Sequence, residues 1–373
     1  MNRREFLSNS FTTGLSLLAA GTLLQSCNGN LRSKLFNEPP ATFRNKLLSK
    51  TGYAILHYAS LAPSGHNTQP WSVKVLAENE WVLAVDPLRR LPAVDPTNRE
   101  LFLALGAFIE NLSLAAGVRG YAIRVDLLAQ TTQDEEVAKI TLHKATPRDY
   151  SLNRLVLRRT VKSGLLPKEL KDADLRVLTE PLKDRLFYFP RSTSHAKCIA
   201  DGIVESYRVQ TDRDRAQKEL AQWIRLGEKQ ARKHRDGLTA QGMDITGPAG
   251  WYVDHFMNQA DVMTPLFRKK AIEKTIKQTR EGAGWLIITS PGNTVADLIE
   301  TGRRFEQMAL LARERRIAIH PMTQLLEEES GQQVVNTNHG PKIMPQFVLR
   351  VGYVEKYPDP VSLRRPVDWF LKS

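Results

Sequence analysis

The sequence predicts an α+β fold made of two related halves, each an antiparallel sheet flanked by helices. Three observations point there. Ser72 to Leu76 and Trp81 to Val85 alternate like paired strands around a turn at Asn79. Two long apolar-periodic stretches, Thr97 to Ala116 and Val295 to Arg315, read as helices. Those helices also resemble each other without a gap at an offset of 196 residues. Gly106 then meets Gly302, Glu110 meets Glu306, Leu114 meets Leu310, Arg119 meets Arg315, and Ala122-Ile123 meets Ala318-Ile319. Agreement through a helix and into the following strand suggests two copies of one unit.

The elements follow in order. Thr42 to Ser60 carries Leu47, Leu48, Ala54, Ile55 and Tyr58 at helical spacing, and a polar loop separates it from the hairpin. After the first long helix come strands at Ala122 to Leu128 and Val137 to His143. The first half is therefore assigned to residues 41–146 and the second to residues 147–373. The second half begins near Pro147 and contains a helical region from Ser194 to Lys233, a glycine-rich stretch from Gly237 to Gly250, and a helix from Val253 to Lys277. A strand at Trp285 to Thr289, the second long helix and a strand at Gln346 to Tyr353 complete it. Glycines 237, 242, 247 and 250 give the segment 237–251 freedom, and Met243 and Trp251 are apolar. It reads equally as a lid over a bound ring and as an exposed linker.

Composition is that of an ordinary folded protein, with 42% hydrophobic and 25% charged residues in a chain of 373. The formal net charge is +13. The basic residues are interleaved with acidic ones, as from Arg213 through Asp214, Arg215 and Glu219 to Glu228, which describes a solvated helix face. No nucleic-acid signature accompanies them, so no nucleic-acid partner is expected. The histidines show no metal spacing and no G-x-G-x-x-G or phosphate loop occurs, which removes zinc, Rossmann and NTPase readings.

The first residues have the order of an export address. Arg3-Arg4 precedes Phe6-Leu7, an apolar stretch runs from Gly14 to Leu24, and Leu24-Gln25-Ser26-Cys27 follows. The apolar stretch is shorter than a bilayer requires and suits a signal segment. The whole of residues 1–27 resembles a twin-arginine signal with a lipoprotein cleavage box. It implies the twin-arginine export machinery as a partner and a destination in the periplasm or, through a lipid on Cys27, on a membrane. Cys27 and Cys198 are the two cysteines, so a lipidated Cys27 leaves Cys198 without an intrachain partner. Residues 28–40, with Asn-Gly-Asn and Pro39-Pro40, read as a tether.

The stretch richest in chemistry is Ala62-Pro63-Ser64-Gly65-His66-Asn67-Thr68-Gln69-Pro70-Trp71. Pro63 and Gly65 mark a loop that displays its polar groups. Ser64, Asn67 and Gln69 supply the alternating donors and acceptors that a planar heterocycle with C=O and N–H groups needs. His66 lies inside it and faces either ligand or solvent. Basic residues recur as Arg158-Arg159-Thr160-Val161-Lys162 and as Arg364-Arg365-Pro366 near the chain end. Arginine presents a planar fork of donors matched to phosphate.

These strings resemble those of the nitroreductase family, whose segment A-P-S-x-x-N-x-Q-P-W matches residues 62–71. The resemblance covers most of residues 42–373 and is weakest between 175 and 280. It implies a nitroreductase-like fold and FMN as cofactor, with the loop (Ser64, Gly65, His66, Asn67, Gln69) gripping the flavin. Arg158, Arg159, Thr160 and Lys162 resemble the family's R-x-S-x-R phosphate clamp, with lysine where a second arginine is usual. His320-Pro321-Met322-Thr323-Gln324 falls where the family places a loop whose backbone faces flavin N5, so Pro321, Met322 and Thr323 join the site. Arg364 and Arg365 resemble the basic tail of the family's fused-dimer, Acg-like branch. The implied activity is hydride transfer from a small-molecule donor through FMN to a nitroaromatic or quinone-type acceptor, or flavin sequestration with little turnover. No side chain is singled out as acid or base, because the cofactor carries the chemistry. The loop string occurs once, and Arg44-Asn45-Lys46 makes a poor second clamp, so one flavin per chain is expected.

Overall fold

The computed structural model describes residues 31–36, 46–339 and 344–372. The export signal of residues 1–27, with Arg3, Arg4 and Cys27, lies outside them. Helix α1 (Leu31–Phe36) and helix α2 (Lys50–Ala59) come first. The first half then runs β1 (Trp71–Ala77), β2 (Glu80–Val85), α3 (Arg99–Val118), β3 (Tyr121–Leu127) and β4 (Glu136–Lys144). Two short helices, α4 (Asn153–Leu157) and α5 (Asp172–Thr179), lead to β5 (Leu186–Pro190). A helical insertion follows: α6 (Ser194–Asp212), α7 (Asp214–Trp223), α8 (Gly227–His234), α9 (Gly247–Phe256) and α10 (Pro265–Thr279). The second half resumes with β6 (Gly284–Ser290), α11 (Val295–Glu314), β7 (Ile317–Pro321), α12 (Gln324–Glu327), α13 (Glu329–His339) and β8 (Met344–Tyr353), and β9 (Leu371–Lys372) ends it.

The fold is α+β, and the two sheets share one plan. From the strand after the long helix, the order is β3-β4-β2-β1 in one sheet and β7-β8-β6-β5 in the other. Every pairing in these two series is antiparallel. Where the first half joins its first two strands through a tight turn at Glu78-Asn79, the second inserts α6–α10. The chain end returns to the first half, where β9 pairs parallel with β1.

Helices α3 and α11 cross between the sheets. A Cβ on Gly106 would stand 2.2 Å from the Ile299 carbonyl oxygen, and one on Gly302 would stand 2.0 Å from the Leu103 carbonyl oxygen. Leu103 and Ile299 are themselves equivalent at the offset of 196, so the contact is reciprocal, as across a two-fold axis. Helix α3 is long and apolar enough for a bilayer, but 83% of its most apolar window is inside the fold. It is buried on one side by the first sheet and on another by Val295, Leu298 and Ile299 of α11. In the second sheet the period of two divides β6 between layers. Leu286 and Ile288 pack on Phe305, Met308 and Ala312 of α11, while Trp285 and Ile287 pack on Ile199 and Ile203 of α6.

Several expectations change. The tether is not extended throughout, because residues 31–36 form α1, with Leu35 buried against Ala231 and Leu363. Leu31 and Leu35 sit four apart and make one apolar edge. The helical region expected from Ser194 to Lys233 is divided into three helices by extended backbone at Arg213, Ile224 and Leu226. The segment 237–251 is neither a free lid nor a plain linker. Its start is hydrogen-bonded into the protein, Met243 packs on the cluster of Ala221, Ile224 and Val262, and Trp251 projects outward at 58% exposure, against His255 and Phe256.

Candidate functional site

The loop after α2 is a strained, internally braced turn. His66, Asn67 and Gln69 all have left-handed backbones, with φ of 45°, 53° and 54°. Non-glycine residues there cost on the order of 1 kcal/mol or more each, and such strain persists where the surroundings over-determine it. Ser64 supplies one brace, accepting the Gln69 N–H at Oγ over 2.9 Å. Asn67, Thr68 and Gln69 are buried, and His66 is partly so.

The basic tail of the second half supplies the rest. Arg364 donates through Nη1 to Asn67 Oδ1 at 2.9 Å, and through Nη2 to the carbonyls of Leu61 and Ala62, each at 3.0 Å. Arg365, 3% exposed, donates through Nη2 to the carbonyls of Gln69 (2.6 Å) and Trp71 (2.8 Å). Its backbone N–H also donates to Gln69 Oε1 at 2.8 Å. Both arginines therefore hold the loop's backbone, a task their motif alone does not reveal.

A strap from the insertion closes over the loop. Asn67 Nδ2 donates to the Gly237 carbonyl at 3.1 Å, Gly237 N–H donates back to the Asn67 carbonyl, and Gln69 Nε2 donates to the Arg235 carbonyl at 3.0 Å. Asp236 between them bridges Arg89 and Arg225, each at 2.8 Å. The loop amides are thus engaged by the chain's own backbone.

The clamp residues divide. Arg158 is buried and its Nε lies 3.0 Å from Glu306 Oε1 on α11, an ion pair whose angle does not make a hydrogen bond. Arg158 Nη2 also reaches the Leu61 carbonyl at 3.4 Å. Arg159 donates to the Asp359 carbonyl at 2.6 Å and lies 3.9 Å from Asp244, and Thr160 is half-buried. The Lys162 carbonyl accepts from Arg350 and Gln278, while its ammonium makes no hydrogen bond or ion pair among the described residues. Burial, with Lys274 second, pulls that ammonium down to about 8. His66 lies within reach of the same charge, and burial lowers it to about 4. His320, beside Arg350, is lowered well below the ordinary histidine value, again by burial first. At neutral pH both imidazoles are neutral, and Lys162 is one cation that bears on each, after Arg350 at His320 and against Glu100 at His66.

The segment after β7 is less open than its motif suggests. Met322 N–H donates to the Val348 carbonyl in the sheet at 2.9 Å, and its side chain is core. Pro321 ends β7, and Thr323 Oγ1 donates to Glu327 Oε1. The structure therefore brings Asn67 and Gln69 into direct contact with Arg364 and Arg365, sets Arg158 on the Leu61 carbonyl that Arg364 also meets, and places Lys162 within electrostatic reach of His66 and His320. Arg159 meets the Asp359 carbonyl and Asp244 instead. Sequence reasoning missed Arg32, whose guanidinium donates to the Ser362 and Val156 carbonyls beside the two basic segments, together with Glu306 and the Arg235–Gly237 strap. Glu306 alone carried a signal, as the repeat counterpart of Glu110.

No family model matches the chain. A Mycobacterium tuberculosis protein provisionally named NAD(P)H nitroreductase acg is 24% identical over 326 residues, 83% of this chain and 92% of that one. A Serratia protein provisionally named NAD(P)H nitroreductase PigM is 22% identical over 320 residues, 80% and 86% of the two chains. Among solved structures, the FMN-dependent nitroreductase NfnB from Mycobacterium smegmatis, in complex with NADPH, is 14% identical and aligns over 54% of this chain and 89% of its own, with a TM-score of 0.34. A nitroreductase-like family protein from Bacillus cereus aligns over 61% and 97%, at 12% identity and a TM-score of 0.33.

Proposed function

We propose that this chain is an FMN-dependent oxidoreductase of the nitroreductase type, holding one flavin between its halves. One observation carries the reading. On the strained loop and the basic segments that reach it, His66 Nδ1 and the Nε atoms of Arg158, Arg364 and Arg365 are buried without a hydrogen-bond acceptor. Buried donors are ordinarily satisfied; the same state recurs at Nε of Arg90, Arg154, Arg213 and Arg350, but four such donors on one loop and the basic segments that reach it suit an acceptor-rich ligand. The curated relatives' names point to the same chemistry.

The donor set fits FMN. Arg158 and Arg364 suit the phosphate, and the Lys162 ammonium, within electrostatic reach of neutral His66 and His320, suits an electron-rich edge of the ring system. Arg365 acts at one remove, fixing the carbonyls of Gln69 and Trp71 so that the loop keeps its left-handed shape. Bound FMN would supply the redox chemistry, taking a hydride from a small-molecule donor and passing electrons to a nitroaromatic or quinone-type acceptor. The chain's part is to bind, orient and exclude water. The second reading, flavin sequestration with little turnover, is favoured by the strap, whose hydrogen bonds to Asn67 and Gln69 restrict access to the loop.

Absorbance of the purified protein tests the cofactor, and bleaching of that colour by NAD(P)H separates turnover from sequestration. A colourless protein that takes up no FMN would refute both readings. We also propose twin-arginine export with anchoring at Cys27, on the order of motifs in residues 1–27 alone. Replacing Arg3 and Arg4 with lysine should retain the protein in the cytoplasm, and Cys27→Ala should release it from membranes. Unchanged fractionation would overturn the proposal.

A further inference from the structure

We propose that the aromatic face of α9 is a membrane-contact surface, which rests on an anionic lipid bilayer beside the chain's anchor. The inference rests on the anchoring at Cys27 proposed above. Helix α9 turns Gly250 and Val253 into the protein and sets Trp251, Tyr252, His255 and Phe256 on its other side. Trp251 and Phe256 are 58% and 60% exposed. The rings pack on one another. Trp251 lies 4.9 Å from His255 and 5.4 Å from Phe256, and Tyr252 lies 5.3 Å from Phe256. A group of large rings left together in water marks a surface that meets something else.

Position and charge identify the occupant as a bilayer. Leu31, the first residue of α1, stands four residues after Cys27, a span of at most about 14 Å when fully extended. A lipid on Cys27 therefore holds the bilayer close to α1. Helix α1 is docked on α8, with Leu35 buried against Ala231. Helix α8 in turn meets α9, where the Gly227 N–H donates to Asp254 Oδ1 at 3.2 Å. The aromatic face is thus one helix away from the anchored end. On α8, Lys229, Arg232 and Lys233 are exposed. Arg232 pairs with Glu228 at 2.7 Å, so Lys229 and Lys233 are the charge in excess on that helix. Exposed lysines suit anionic headgroups, and tryptophan and tyrosine rings suit the headgroup level of a bilayer. The Arg235–Gly237 strap follows α8 directly, so docking brings the cover of the flavin loop close to the lipid.

The test uses the full chain with Cys27→Ala, which carries no lipid, and vesicles of phosphatidylcholine with or without phosphatidylglycerol. The apolar residues 14–24 can themselves seat the chain on a vesicle, so attachment alone is not the readout. Lipids brominated on their acyl chains quench a tryptophan that reaches them. Trp251→Phe removes that reporter and keeps the face apolar. On vesicles with phosphatidylglycerol, brominated lipid should quench the parent chain, and most of that quenching should be lost in Trp251→Phe. Lys229→Gln with Lys233→Gln should reduce the quenching of Trp251, as should added salt or the omission of phosphatidylglycerol. Equal quenching with and without Trp251, no quenching in a chain that sediments with the vesicles, or failure to sediment with them overturns the inference. A lipid-free dimer that Trp251→Ser dissolves would assign the face to a second copy of the chain and overturn it too. Anchoring is judged separately, by fractionation of cells carrying Cys27→Ala. Unchanged fractionation with Trp251 quenched would refute the anchor and keep the face.

Discussion

Gly106 and Gly302 lie face to face where α3 crosses α11, with the Cα of Gly302 only 3.0 Å from the place a Cβ on Gly106 would take. A methyl group at either site meets backbone carbonyl oxygen, which cannot swing aside, so the helices must part. Gly106→Ala and Gly302→Ala should each destabilise by about 1–3 kcal/mol, the usual range for overpacking. Gly117→Ala on the same helix is the control, because its Cβ would stand 3.4 Å from the side chain of Arg148, in the loop after β4. That change should be neutral or stabilising, as glycine inside a helix is disfavoured. Denaturant midpoints decide, and equal effects at positions 106 and 117 would contradict the crossing.

Lys162 sets a pH dependence. Its folded value, about 8, lies below the ordinary 10.5, so between those limits the unfolded chain binds the extra proton. Stability of the flavin-free protein therefore rises with pH from about 8 to 10.5. Ligand affinity runs the other way, because Lys162 loses its charge above about 8. FMN should bind several-fold more weakly at pH 9 than at pH 7, and Lys162→Gln should flatten that change. An unaltered pH profile in the variant would exclude Lys162 from the site.

The buried histidines give the acid limb. His57 and His66 are lowered to about 4, chiefly by burial, so the folded chain holds them neutral where the unfolded chain charges them below 6.5. Stability should fall as pH drops from 6.5 towards 4, at most about 1.4 kcal/mol per unit for each group. Asp95, raised to about 6 by burial, acts in the opposite sense. The informative comparison is the wild type against His57→Gln. Denaturant midpoints from pH 7 to 5 should fall less steeply in the variant, and parallel curves would contradict the assignment.

Asp236 fastens the strap between Arg89 and Arg225. Asp236→Asn weakens both ion pairs while keeping the size, so the Gly237 N–H should exchange faster with solvent and FMN should associate and dissociate faster. Hydrogen exchange and stopped-flow fluorescence report the two. Faster exchange with unchanged flavin rates would show that the strap does not gate the loop.

Strict periodicity made much of the fold legible. The hairpin at Asn79, the helices α3 and α11, and the strands β6 and β8 follow from local pattern, and the offset that aligned Gly106 with Gly302 marked a real contact. Strand β5 escaped notice because its ladder partner, β6, lies about a hundred residues on. The breaks at Arg213 and Ile224 escaped because the charged helical pattern runs on, while Ile224 turns inward to pack on Val262. In the site, the polar loop and basic pairs were visible as residue types. Which oxygen each guanidinium meets was not, since Arg364 meets Asn67 across 297 residues. Arg32 had no signal at all, because a single arginine beside two leucines describes any short helix.

The central claim is one flavin held between the halves, and the flavin-to-chain ratio tests it most directly. The protein is reconstituted with excess FMN, freed of unbound flavin and assayed for absorbance against chain concentration. The account predicts a ratio near one, falling well below that in an Arg158→Gln, Arg364→Gln double variant. A ratio near zero or near two in the wild type would contradict it.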